Sequence, residues 1–257
     1  MPASRFVWYE LMTADPSAAI EFYTQAVGWR AQDSGMPDMG YTLMMVGDAP
    51  VAGVARTPAQ LQAMRLPPLW SGYVAVDDVD AMAARVLAAG GKVLRPPEDI
   101  PGDVGRFAVV ADPQNASFML FKPIPPEGGP ILPPVEAPGT IGWAELRAMD
   151  GTAVFDFYAS LFGWTRGEGM DMGAMGTYQI FEIDGVGCGA VMTKTPDQPA
   201  PAWRFYARVA GIDAALERVK RLGGTVTMGP DPVPGDLWVA NARDPQGAVF
   251  ALMSSTK

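Results

Sequence analysis

Two glutamates stand in matched settings. Glu10 lies two residues after Trp8 and two before Met12, while Glu145 lies two after Trp143 and two before Arg147. Along a β-strand alternate side chains share a face, so Trp8, Glu10 and Met12 form one row and Trp143, Glu145 and Arg147 another. A carboxylate set among Trp and Met side chains is desolvated, which disfavours its charged form and raises its pKa toward neutrality. Under that condition Glu10 or Glu145 can work as a general base or as a hydrogen-bond donor. The competing reading is structural: each glutamate pairs with Arg147, Arg204, Arg208 or a backbone N–H, since ion-pair networks perturb pKa values as well.

A second row carries positive charge. Arg204, Tyr206 and Arg208 alternate in one run, where the first half of the chain offers Ser71, Tyr73 and Ala75. Paired guanidinium groups suit an anionic or carboxylate-bearing ligand through bidentate hydrogen bonds. The alternative is that one arginine neutralises Glu145 and the other sits at an edge. Two glycine- and methionine-rich segments end in tyrosines, Gly35 to Tyr41 and Gly169 to Tyr178. Glycine hinges with adaptable methionine surface would make them lids over a ligand touched by Tyr41 and Tyr178; packing against their own domain is the other reading. Trp70, Trp203 and Trp238 read as core, and Cys188 lacks a basic neighbour in sequence and reads as inert.

Composition removes several chemistries. The 257 residues contain no histidine, the usual general base near neutral pH and the commonest transition-metal ligand, so Ser-His and Cys-His nucleophiles are excluded. A single cysteine excludes an internal disulfide. The net charge of −9 is spread evenly over both halves, leaving no basic face for a phosphate backbone, so nucleic acid is not expected as a partner. No apolar run reaches the roughly 18 residues that cross a bilayer, and the N-terminus lacks the plan of a signal peptide. A cytoplasmic location, no membrane partner, and a monomer or homodimer are expected.

The elements that position these residues are written twice. Trp143 against Trp8, Asp150 against Asp15, Tyr158 against Tyr23 and Trp164 against Trp29 keep a constant offset of 135. Trp203, Gly223-Gly224 and Pro234-Gly235-Asp236 repeat Trp70, Gly90-Gly91 and Pro101-Gly102-Asp103 at 133, and Asp244-Pro245-Gln246 repeats Asp112-Pro113-Gln114 at 132. Such internal periodicity settles architecture better than any one motif. Within the first half, residues 6–12 read as a strand. Asp15 caps a helix with Pro16 at its first position and Gly28 at its end. Tyr41–Val46 and Val51–Arg56 are strands, with another around Trp29–Asp33. The plan restarts at Trp70–Val76, with Asp78 or Asp80 capping a helix, then strands at Lys92–Arg95, Arg106–Ala111 and Ser117–Phe121. Seven prolines in residues 123–138 mark an extended linker.

Four strand-helix-strand-strand-strand units, with Asp15, Phe22-Tyr23, Gly28-Trp29, Val76-Asp77-Asp78-Val79, Asp112-Pro113-Gln114 and their partners, resemble the glyoxalase, bleomycin-resistance and extradiol-dioxygenase superfamily (vicinal oxygen chelate fold). The resemblance implies an α+β fold of four βαβββ modules forming two tandem incomplete eight-stranded barrels, each with a cup. It divides the chain into a first domain over 1–122, a linker over 123–139 and a second domain over 140–257. In metal-dependent members His, Glu or Gln ligands open the first and fifth strands and close the eighth; the matching positions here hold Trp8 and Trp143, Ser71 and Arg204, Met119 and Ala251. A divalent ion needs three or four placed donors, so neither a metal nor another cofactor is expected.

If Trp8 faces the cup, so do Glu10 and Met12. The expected ligand-contacting set is then Trp8, Met12, Tyr41, Ser71, Tyr73, Met119, Trp143, Arg147, Tyr178, Arg204, Tyr206 and Arg208. The resemblance points to metal-independent binding of a small apolar or aromatic molecule, for sequestration or resistance. The alternative is a metal-free lyase, isomerase or hydrolase with Glu10 or Glu145 as base.

Overall fold

A computed structural model of the chain describes residues 4–36, 40–63, 66–124, 133 and 136–257. Pro37, Asp38 and Met39 of the first glycine-methionine segment lie outside the described residues, as does most of the proline-rich linker. The first half runs β1 (Phe6–Thr13), α1 (Pro16–Ala26), β2 (Arg30–Asp33), β3 (Thr42–Val46), β4 (Ala49–Arg56), a short α2 (Ala59–Ala63), β5 (Leu69–Ala75), α3 (Val79–Ala88), β6 (Lys92–Ile100), β7 (Gly105–Ala111) and β8 (Ser117–Pro123). The second half repeats it with β9 (Ile141–Ala148), α4 (Gly151–Phe162), β10 (Thr165–Asp171), β11 (Thr177–Ile183), β12 (Val186–Thr193), β13 (Ala202–Arg208), α5 (Ile212–Arg221), β14 (Thr225–Val233), β15 (Leu237–Arg243) and β16 (Val249–Ser254).

Each half forms one eight-stranded sheet, in the orders β2-β3-β4-β1-β5-β8-β7-β6 and β10-β11-β12-β9-β13-β16-β15-β14. The two orders are the same, position for position. The fold is α+β, two tandem incomplete barrels of the glyoxalase type. In each module the last strand lies parallel to a neighbouring opening strand, as in β1 with β4 and β5 with β8, and the remaining pairs are antiparallel.

The helices start where the sequence says they must. Asp15, Asp78 and Asp150 each accept from the backbone N–H three residues on, Ala18, Ala81 and Ala153, and so satisfy one of the orphan donors of the first turn. Gly163 closes α4 with φ 74°, a left-handed conformation that side chains with a Cβ resist. One face of α1 and one of α4 is apolar and buried: Ala19, Phe22, Tyr23 and Ala26 in α1, and Val154, Phe155, Tyr158, Leu161 and Phe162 in α4. The segment from Gly169 to Tyr178 is a structured hairpin rather than an irregular loop. Met170 pairs with Tyr178 and Asp171 with Thr177 across a hairpin, closed by a 3-10 turn at Gly173–Met175.

By packing, the chain forms two compact units, one from described residues within 1–7, 71–129 and 143–204, the other from those within 8–70, 130–142 and 205–257. In the second of these, the Asp-Pro-Gln loop after β15 receives α1. Tyr23 donates to Asp244 (3.2 Å), Thr13 Oγ1 and Gln246 Oε1 lie 2.5 Å apart, and Gln246 Nε2 donates to the Asp15 carbonyl at 2.9 Å. In the first, the loop after β7 receives α4 in the same way: Tyr158 donates to Asp112 (2.9 Å), and Gln114 and Asp150 exchange bonds of 2.9 and 2.8 Å. The Asp carboxylate also accepts from the two backbone N–H groups of its own turn, 114 and 116 or 246 and 248. The repeated Phe-Tyr and Asp-Pro-Gln landmarks are therefore the two sides of one buried joint. Trp70 and Trp203 belong to it as well, donating to Tyr23 and Tyr158 respectively.

Candidate functional site

β1 shows the alternation expected of a strand covered differently on its two faces. Leu11 and Thr13 are fully buried on one face, and the other face presents Trp8, Glu10 and Met12. Trp8 Nε1 donates to the Tyr41 hydroxyl at 2.9 Å, and Tyr41 is hydrogen-bonded to Glu10. Indole, phenol and carboxylate thus form a chain, each donating toward the acid. Burial first, and then the charge of Glu10, push the Tyr41 hydroxyl well above its ordinary pKa, with the Trp8 donor opposing. Tyr41 therefore stays protonated as a donor to Glu10, which is only 6% exposed.

Room for this arrangement comes from a residue that sequence reasoning passed over. Glu10 stands opposite Gly53 in the β1–β4 ladder, and a Cβ on Gly53 would lie 1.9 Å from the Tyr41 hydroxyl oxygen. Only glycine lets the phenol cross the strand at that point. The available signal was a glycine inside an otherwise regular strand pattern, which often marks close approach of another group.

β9 repeats the geometry with different chemistry. Trp143 Nε1 donates to the Tyr178 hydroxyl at 2.9 Å, as in the first half. Glu145, 2% exposed, is held by guanidinium groups: Arg147 Nε lies 2.6 Å from Oε1, and Arg204 Nη1 lies 3.6 Å from the same oxygen. The side chains of Arg147 and Arg204 are 12% and 15% exposed, so the cluster is largely desolvated. Arg204 Nε is buried without a hydrogen-bond partner. Glu145 thus takes the ion-paired course that its sequence neighbours allowed, whereas Glu10 is held by a phenol.

The remaining sequence candidates are placed as follows. Ser71, Tyr73 and Met119 are buried; Tyr73 and Met119 are register partners, and the Tyr73 ring lies edge-on to Phe121 at 5.7 Å. Tyr206 is buried opposite Ala251. Arg208 lies against Gly142, with its Nη1 3.9 Å from the Met253 sulfur. A groove of about 930 Å3 elsewhere, bordered by Arg5, Asp77, Arg85, Lys122 and Asp184, contains none of these residues. Burial raises the Cys188 thiol pKa, the wrong direction for a nucleophile.

The metal question can be put to the donors. Trp8 and Trp143 present N–H groups already given to tyrosines, and Met119 and Ala251 offer nothing that a hard divalent ion selects. Among the described residues no three His, Cys, Asp or Glu side chains gather where an ion could be held. The described residues at these positions do not fit the divalent metal that the family resemblance implies.

Comparison with known proteins decides the family. The description "Glyoxalase/Bleomycin resistance protein/Dioxygenase superfamily" matches residues 5–120 and again 140–252. The chain belongs to that superfamily. Within it, the chain is 32% identical over 248 residues to "Putative glyoxylase CFP32" of Mycobacterium tuberculosis, covering 96% of this chain and 93% of that protein. It is also 32% identical over 259 residues to the anthracycline biosynthesis protein DnrV of Streptomyces peucetius, covering 96% and 91%. Among solved structures, 2,2',3-trihydroxybiphenyl 1,2-dioxygenase of Sphingomonas wittichii superposes with a TM-score of 0.70 at 14% identity, over 98% of this chain and 90% of that one. The Mn(II)-bound glyoxalase of Novosphingobium aromaticivorans does so with 0.68 at 16%, over 99% and 84%. At such identities the likeness is one of fold. No helix among the described residues is long and apolar enough to cross a membrane.

Proposed function

We propose that this superfamily member binds a small aromatic or apolar molecule without a metal, using the Trp8, Met12, Tyr41 and Glu10 face and its second-half counterpart. The observation that carries the reading is that Trp8 and Trp143, standing where the resemblance expects metal ligands, each give their indole N–H to a tyrosine. Binding sites for small organic molecules are mostly apolar with a few placed polar groups, which is the character of both rows. Kinship with a protein named for anthracycline biosynthesis favours an aromatic, multi-ring compound. Sequestration of such a compound is the simplest role consistent with these features.

A thermal-shift and fluorescence screen of aromatic metabolites and antibiotics tests this. Hits should lose their effect in Trp8→Ala or Trp143→Ala; hits that survive both substitutions would remove the basis for placing the ligand there.

A second reading rests on the Trp8–Tyr41–Glu10 chain. A buried carboxylate with a phenolic donor can accept a proton from an acidic C–H or a water, with Tyr41 keeping its orientation. Glu145 is less suited, because protonating it would leave two buried guanidinium groups facing a neutral acid. Metal-free catalysis therefore predicts turnover lost in Glu10→Gln with ligand binding kept.

A further inference from the structure

The two halves are alike in backbone and unlike in charge. At the positions where the second half has Arg147 and Arg204, the first has Met12 and Ser71. The unequal row surrounds an acid that cannot answer all of it. Glu145 Oε1 is occupied by Arg147 Nε at 2.6 Å, so Arg204 reaches that same oxygen only at 3.6 Å, outside hydrogen-bonding distance. The Arg204 Nε–H is a buried donor with no acceptor among the described residues. An orphan donor on a charged group is expensive, and native structures leave few of them unexplained.

We infer that Arg204 is the anchor for a ligand carboxylate, making the second-half site specific for small aromatic monoanions while the first-half site takes neutral molecules. A guanidinium offers parallel N–H donors at the spacing of carboxylate oxygens, and Nε with one Nη is a usual edge for such a pair. Two guanidinium groups stand against the single Glu145 carboxylate, so a monoanion is the ligand charge that complements the cluster. Trp143 shares the face of Glu145 and, with Tyr178, supplies an aromatic neighbour for the ring of the ligand. The inference rests on the binding role proposed above and adds the charge and the half of the chain.

The test reads Arg204 directly. In a proton–nitrogen correlation spectrum of the full chain, the Arg204 Nε–Hε peak is assigned by its absence in Arg204→Lys. Sodium benzoate is then titrated against sodium chloride and benzyl alcohol, with tryptophan fluorescence followed in parallel. Benzoate should shift that peak saturably and bind at least about tenfold more tightly than benzyl alcohol. The preference should vanish in Arg204→Lys, which keeps the charge but not the fork. If chloride moves the peak as benzoate does, or if the preference persists in Arg204→Lys, the inference fails. Should benzyl alcohol still quench tryptophan while benzoate gains nothing, the anion anchor alone is wrong. If neither compound binds, the anchor and the broader binding role fall together.

Discussion

Gly53→Ala offers the sharpest probe of the first-half site, because the crowding it introduces can be read off the structure. The new methyl carbon would sit 1.9 Å from the Tyr41 oxygen and 2.3 Å from Cζ, against roughly 3.5 Å for ordinary van der Waals contact. Tyr41 must therefore move by about 1.5 Å or the strand must part. Gly53 is not in the left-handed region, so the alanine brings no backbone penalty of its own. Overpacking of this kind costs about 1–3 kcal/mol, and loss of a hydrogen bond to a charged group about 1.5–3 kcal/mol. Since one displacement both relieves the clash and breaks the Tyr41–Glu10 bond, the two are not summed. The expected loss is about 2–3 kcal/mol, on the order of 5–10 °C in Tm for a chain of this size. Urea unfolding followed by tryptophan fluorescence measures it. The decisive comparison is with Tyr41→Ala, in whose background the methyl group has room and Gly53→Ala should cost almost nothing. Equal cost in both backgrounds would mean that the methyl meets something other than Tyr41, and the reasoning about this site would be wrong.

Three other outcomes follow from the same geometry. Glu145→Gln should destabilise by about 3 kcal/mol, because it strands two mostly buried guanidinium groups, whereas Glu10→Gln, whose amide oxygen still accepts from Tyr41, should cost about 1 kcal/mol; equal losses in urea midpoints would contradict the different pairing of the two acids. Burial raises the Asp112 and Asp244 carboxyls above their ordinary range, against the N–H and tyrosine donors that favour the charged form. Their contribution to stability is therefore fullest below the unfolded carboxylate pKa and declines as pH rises through the folded value. Asp112→Asn should flatten that decline, and a profile of unfolding midpoint against pH as steep as that of the unaltered protein would refute it. Elemental analysis of purified protein should find no stoichiometric transition metal, and chelator should leave Tm unchanged; one equivalent of bound metal would overturn the account of the donor positions.

How far the sequence reached depended on whether the relevant physics was local or carried by spacing. Asp15, Asp78 and Asp150 could be read as helix starts because a cap is a relation between residues three apart. The offset of 135 between Trp8 and Trp143 foretold the two sheets of equal order because duplicated spacing duplicates register. The rows Trp8-Glu10-Met12 and Trp143-Glu145-Arg147 followed from strand alternation alone. What each acid touches did not follow. Tyr41 is 31 residues from Glu10, and its position over that carboxylate depends on Gly53 in a third strand, a relation with no signature short of the folded sheet. The glycines and methionines before Tyr178 are compatible with a lid or with a loop packed on its own domain, and the ladder pairing that draws most of that segment into a hairpin has no signature in them.

The Asp-Pro-Gln and Phe-Tyr pairs show a different limit. They were legible as recurring marks but not as partners of one another, since Asp112 meets Tyr158 and Asp244 meets Tyr23 across 46 and 221 residues. Their recurrence is now accounted for by stability: a buried acid, two turn amides and a tyrosine satisfy each other only as a set, so losing one member leaves the others unpaired. This places the repeated motifs in the scaffold and leaves functional difference to the positions that do not repeat. Met12 against Arg147 and Ser71 against Arg204 are such positions, and the two arginines lie on and beside the row that carries Glu145. With the scaffold duplicated and these residues not, the two halves hold their carboxylates in unlike electrostatic surroundings, one beside a neutral phenol and one between cations. A duplication that kept one backbone plan and changed the charge at two points has the means to give its halves different ligands.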